Sequence, residues 1–136
     1  RFLEKALRPD SAGAGRFRGG LGQTIAFRHV GSRPMTFSLT PDRITTPPIG
    51  LAGGRDAPLG RVLINGQHVE RFPPITLQPG DEVVLDLPGG GGFEPPELRG
   101  RDATERDLAA GYLTAAGAAR DYPTSNDPAR RDDDHA

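Results

Sequence analysis

The chain has 136 residues, 35% of them hydrophobic, and a formal net charge of −1. The length suits one domain with a modest core, and the charge offers no bulk field toward nucleic acid or an anionic membrane. Without cysteine it can form no disulfide and no thiolate nucleophile or metal site, and with Lys5 as its one lysine a Schiff-base mechanism is not expected.

No apolar run approaches the roughly 20 residues that cross a bilayer. The 19 glycines and 14 prolines fall in clusters between β-like runs, which favours a turn-rich β domain over disorder. Residues 1–8 carry Phe2, Leu3, Ala6 and Leu7 and feed Pro9, which biases Arg8 toward extended angles, so they read as the end of a strand. A glycine-rich loop follows, Asp10-Ser11-Ala12-Gly13-Ala14-Gly15-Arg16-Phe17-Arg18-Gly19-Gly20-Leu21-Gly22-Gln23. If Phe17 is extended, its ring points one way and Arg16 and Arg18 the other. Two later glycine-rich stretches, residues 47–54 and 88–93, are expected on the same surface.

Residues 23–30 predict a strand with Ile25, Phe27 and His29 on one side, and Gly31-Ser32-Arg33-Pro34 a turn. Residues 35–40 predict a second strand with Met35, Phe37 and Leu39 on one face. Residues 43–55 read as a long ordered loop or a broken strand. Runs at 61–64 and 68–72 flank Asn65-Gly66, the strongest short hairpin signal, because a type I′ turn needs positive φ at both central residues. Gln78-Pro79-Gly80-Asp81 is another turn, and 82–87 a strand with Val83, Leu85 and Leu87 facing one way.

From Pro88 the composition changes, and four glycines lead into Phe93-Glu94-Pro95-Pro96, where no regular element persists. Thr104 is expected to cap a short helix through 105–110, with Glu105 and Asp107 in its first turn and Gly111 as its stop. Thr114 is expected to start a second, 115–122, ended by Pro123. The expected fold is mainly β: an antiparallel barrel- or sandwich-like domain with two short C-terminal helices. Its parts are a glycine-rich β domain over 1–99, a helical appendage over 100–122 and a disordered tail over 123–136. One shared core is expected to hold Phe27, Phe37, Leu39, Val62, Ile64, Leu77, Val83 and Leu85.

The run DSAGAGRFRGGLGQ, then PPIGLAGG, then LQPGDEVVLDLPGGGGFEPPELR, then RDLAAGYLTAAGAARDY resembles the C-terminal end of the hydantoinase B/oxoprolinase family. The blocks come in the family's order and cover most of residues 8–122. Members of that family are several times longer, and the chain opens at Arg1 without an initiator methionine, which suits a piece of a larger protein. The resemblance implies ATP-dependent, cytoplasmic chemistry on a carbonyl or cyclic amide, such as opening a hydantoin or 5-oxoproline ring. It implies a hydantoinase A-type partner subunit or domain, with ATP and a divalent metal both bound outside this chain. A ketone carboxylase subunit, and a non-catalytic interaction module or gene remnant, remain as alternatives. Two departures matter: Ala12 stands where the family commonly has glycine, and Phe93-Glu94-Pro95-Pro96 where it usually reads Tyr-Gly-Asp-Pro.

Arg16, Arg18, Gly19 and Gly20, with Gly89, Gly90, Gly91 and Gly92, are the candidate contacts to substrate or phosphate. A tight structural turn, an anion contact and an intersubunit contact all stay open for the first loop, and a structural crossover is the favoured reading of the second. The loop is neither a phosphate-binding Walker A sequence nor a complete dinucleotide fingerprint. His29, His68 and His135 lack ligand spacing, so no metal site is expected, and no catalytic constellation can be drawn from this chain by itself.

Overall fold

The structure, a computed structural model, describes residues 1–123. The tail expected beyond Pro123, with His135, lies outside the described residues. Seven strands form: β1 (Phe2–Leu7), β2 (Gln23–Arg28), β3 (Met35–Phe37), β4 (Arg61–Ile64), β5 (Gln67–His68), β6 (Ile75–Leu77) and β7 (Glu82–Asp86). A 3-10 turn (Pro96–Leu98) leads to α1 (Arg101–Ala109) and α2 (Ala115–Asp121).

The main sheet has the order β1-β2-β7-β4-β5, and β3 pairs with β6 in a second, two-stranded sheet. Every strand pair is antiparallel. The fold is thus mainly β with two helices, as the turn-punctuated sequence implies. The main sheet ends at β1 and β5 instead of closing, so the barrel gives way to a sandwich-like arrangement. Phe27 of β2 meets Phe37 of β3 edge-to-face at 5.6 Å, joining the two sheets.

The turns follow their chemistry. Asn65 and Gly66 both take positive φ, 50° and 77°, as the two-residue hairpin requires. The Asn65 side chain also donates to Asp81 and accepts from the Glu82 amide, pinning the hairpin to the start of β7. Asp81 and Glu82 point to different partners, the Gln78 amide and Arg28, and do not form a carboxylate pair.

The core is smaller and more divided than expected. Val62, Leu77 and Val83 are buried, whereas Phe27, Phe37, Leu39, Ile64 and Leu85 are only half-buried. Two three-residue strands cannot cover a five-stranded sheet, so much of its apolar face stays partly wet. A second cluster of Ala14, Leu113 and Tyr122, with Leu108 against it, lies between the helices and the first glycine loop.

Two helix expectations divide. Thr114 caps α2, accepting from the Gly117 amide. Thr104 is no cap: α1 starts three residues earlier behind Gly100, and Thr104 is buried inside it. Asp107 accordingly lies late in α1 and faces inward instead of occupying its first turn.

Candidate site at the glycine-rich surface

Three stretches far apart in sequence converge through their backbones. Gly13 donates to Gly90, Gly89 to Ser11, Gly90 to Gly20, and Gly92 to Arg55, while Arg55 donates to Ala14 and Leu51 to Gly92. Phe17 pairs with Phe93 antiparallel, and Leu51 pairs with Phe93 in parallel. The expectation that 47–54 and 88–93 share a surface with the first loop is met by this mesh.

Glycine is required where backbones touch. A Cβ at Gly92 would overlap the Ala14 carbonyl, and one at Gly19 the Gly90 carbonyl. Gly20, by contrast, has open space where a Cβ would project. The amides of Gly13, Gly19, Gly89, Gly90 and Gly92 all donate to carbonyls of the chain. Those of Gly15 and Gly22 donate to the Tyr122 hydroxyl and the Ser11 hydroxyl. These N–H groups are therefore committed to holding the stretches together.

The two arginines diverge. Arg18 reaches α1, donating to both oxygens of Asp107 at 2.8 and 3.3 Å and to the Gly19 carbonyl at 2.7 Å. Its guanidinium lies 5.5 Å from the Tyr112 ring centroid. Arg99 grips the same Asp107, donates to the Arg16 carbonyl and stacks over Tyr122. Asp107 is 7% exposed, so one carboxylate carries two guanidinium groups inside the domain. Burial pushes the Tyr122 hydroxyl pKa up.

Arg16 stays at the surface, 3.2 Å from Glu94 with 42% of its side chain exposed, and leans over the Phe17 ring at 5.5 Å. The extended-strand expectation of both arginines opposite Phe17 is thus replaced by one arginine turned inward and one folded across the ring. The inward turn follows from the buried acid waiting on α1. Glu94 has φ 60°, a left-handed backbone costly for a residue with a Cβ. The resemblance puts glycine at this position, and the observed angle explains that preference.

Around Arg16 the surface is apolar. Phe17 is 56% exposed, Leu51 64% and Phe93 45%, and the two phenyl rings lie 6.2 Å apart. These side chains stand out because their neighbours in the mesh are glycines. Sequence reasoning named the glycines and arginines but missed Leu51, Glu94, Arg99 and Asp107. The isolated aromatic inside each glycine run was the available signal for Phe17 and Phe93.

Among the described residues no group of three or more His, Cys, Asp or Glu could hold a metal ion. His29 is a loop staple: its Nδ1 accepts from the Gly31 amide, which leaves Nε2–H to donate to the Arg33 carbonyl. His68 lies exposed in the hairpin. A cavity of about 220 Å³ opens behind the mesh between Ala12, Ala14, Arg55 and the Arg120–Asp121 pair, whose guanidinium and carboxylate are joined by two hydrogen bonds. No helix among the described residues is long and apolar enough to cross a membrane.

This order of glycine blocks, folded into one mesh at the end of an antiparallel sheet, is what the comparisons with known proteins bear on. The family model Hydantoinase B/oxoprolinase matches residues 1–96, and the chain belongs to that family. It is similar to the caprolactamase subunit beta of Pseudomonas jessenii, 31% identical over 126 residues, covering 86% of this chain and 22% of that protein. It is also similar to the 5-oxoprolinase of Saccharomyces cerevisiae, 31% identical over 103 residues, covering 66% of this chain and 7% of that protein. The crystal structure of ATP-dependent caprolactamase from Pseudomonas jessenii superposes with a TM-score of 0.71 at 26% identity, over 98% of this chain and 24% of that one. The chain spans 22% or less of the length of these curated relatives.

Proposed function

We propose that this chain is the C-terminal part of a B-type subunit or domain of an ATP-dependent cyclic-amide hydrolase, where it completes a site built mainly on polypeptide outside it. The observation that supports this most is the convergence of three glycine-rich stretches into one mesh with Arg16, Phe17, Leu51 and Phe93 on its outer side. A cyclic amide presents an apolar ring and a polar carbonyl edge, and an aromatic pair beside an arginine suits both. The Arg16–Glu94 pair is half-exposed and of the kind worth about 0–1 kcal/mol, so an anionic group can displace Glu94 at little cost.

The mesh does not fit a nucleotide phosphate. Most of its amides donate to the chain itself, and Arg18 is neutralised by Asp107. In this reading ATP and a divalent metal bind outside this chain, in a hydantoinase A-type partner and in the remainder of the B-type polypeptide. Arg18, Gly19, Gly20 and Gly89 to Gly92 act by holding the surface in shape, and Arg16 is the residue placed nearest substrate. The setting proposed for this enzyme is cytoplasmic.

The reaction is tested on the complete enzyme carrying this sequence, assembled with its A-type partner. Incubation with ATP and a panel of hydantoin, 5-oxoproline, caprolactam and a simple ketone, with and without bicarbonate, should give ring-opened product from a cyclic amide independently of bicarbonate. Turnover of a ketone only when bicarbonate is present would assign the ketone carboxylase reading instead. Absent turnover with an intact complex would leave an interaction module, and turnover that needs no ATP would overturn the ATP-dependent reading.

A further inference from the structure

Strand β1 lies at one end of the five-stranded sheet and, among the described residues, pairs with β2 alone. All six of its residues are exposed. Phe2 is 73% exposed, Leu3 44% and Leu7 50%. By register Phe2 sits opposite Phe27 and Leu7 opposite Gln23, on one face of the sheet, and Leu3 falls in the irregularity between Phe2 and Glu4, so apolar side chains stand open along the strand. An edge strand is commonly blunted by shortness, charge, a bulge or a covering segment, since its unpaired N–H and C=O groups template further pairing. The other end of the sheet obeys that rule, for β5 has only two residues. On β1 a register irregularity separates Phe2 from Glu4, after which residues 4–7 run unbroken against β2. The caprolactamase chain that superposes on 98% of this one leaves about three quarters of its own length outside the match.

We propose that the free edge of β1 is the seam along which this domain joins the rest of a B-type polypeptide. An extended segment of that polypeptide pairs with residues 4–7 and covers Phe2, Leu3 and Leu7. Glu4 and Lys5, adjacent and opposite in charge, ask that segment for a basic side chain on one face and an acidic one on the other. The inference rests on reading the chain as part of a B-type protein and is independent of the reaction proposed above.

Hydrogen–deuterium exchange over residues 1–8 tests it. Exchange is compared in the 136-residue chain and in the same chain joined in frame to the part of the Pseudomonas jessenii caprolactamase beta subunit outside the matched region. Pairing predicts at least about tenfold slower exchange of β1 in the joined protein with β7 unchanged, and loss of that slowing with Leu3→Asp and Leu7→Asp together. Equal exchange in both overturns the proposal. So does protection of β1 already present in the chain by itself, since two copies would then be pairing with each other. Should the joined protein not fold, the chain by itself decides. The double substitution should raise its solubility and leave its urea midpoint in place, whereas unfolding would put both leucines in the chain's own core and overturn the proposal. No turnover is read at any stage, so failure here is distinct from failure of the reaction.

Discussion

Asp107 belongs to the helical appendage, yet its carboxylate determines what Arg18 can do. By sequence it reads as a first-turn acid of α1, complementing the helix dipole. Its actual position, late in α1 and turned inward, became available only once Gly100 began the helix. Removing one partner of a buried ion pair leaves the other uncompensated, so Arg18 is bound to structure while Arg16 keeps the exposed role. Asp86 offers a second buried carboxylate whose consequence is a pH dependence. Burial pushes its pKa up, but the Thr24 hydroxyl, Arg61 and Arg8 outweigh that and hold it below the ordinary carboxylate range. A group with a depressed folded-state pKa contributes stability above its unfolded pKa, about 4, and loses it as the pH falls through the folded value. Wild-type chain should therefore lose stability on acidification from about pH 5 downward, and Asp86→Asn should lose less over the same interval. Urea midpoints measured along a pH series check this; parallel slopes for the two proteins would remove Asp86 from the account.

At the scale of elements, the glycine stretches behave as one unit held by backbone contacts instead of side-chain packing. Gly92→Ala drives a methyl into the Ala14 carbonyl and should cost about 4 kcal/mol or prevent folding, in the range reserved for severe overpacking. Gly20→Ala meets open space and should change stability by about 0.5 kcal/mol or less. Thermal or urea unfolding of the two variants side by side checks the contrast; similar losses in both would mean that the mesh is not the constraint. Much of this layer is legible in the sequence because the physics is local. Asn65-Gly66 imposes its turn, Thr114 its cap, and the alternation through 82–86 its strand. Strand β6 is not legible, since three residues behind Pro73-Pro74 carry no measurable alternation and form only by pairing with β3. The start of α1 is also hidden, because Gly100 donates no capping side chain and Thr104, which resembles a cap, is drawn inward. In the candidate site, glycine clustering announces the convergence. The partners of the arginines are set 78 and 89 residues away in sequence, at Glu94 and Asp107, and no local pattern encodes them.

At the scale of the whole molecule, the chain is a family member that spans about a quarter or less of its relatives. Its half-buried core, its exposed β1 and its apolar mesh surface are the features on which the proposal of further polypeptide rests. As proposed, the mesh completes a site assembled elsewhere, with Arg16 toward substrate and Arg18 holding the frame. The most direct test measures kcat/KM and the unfolding midpoint for Arg16→Ala and Arg18→Ala in the complete, assembled enzyme. Arg16→Ala should lose about tenfold or more in kcat/KM with its midpoint unchanged, whereas Arg18→Ala should first lower the midpoint. Wild-type kinetics for Arg16→Ala in a normally assembled complex would contradict the proposal.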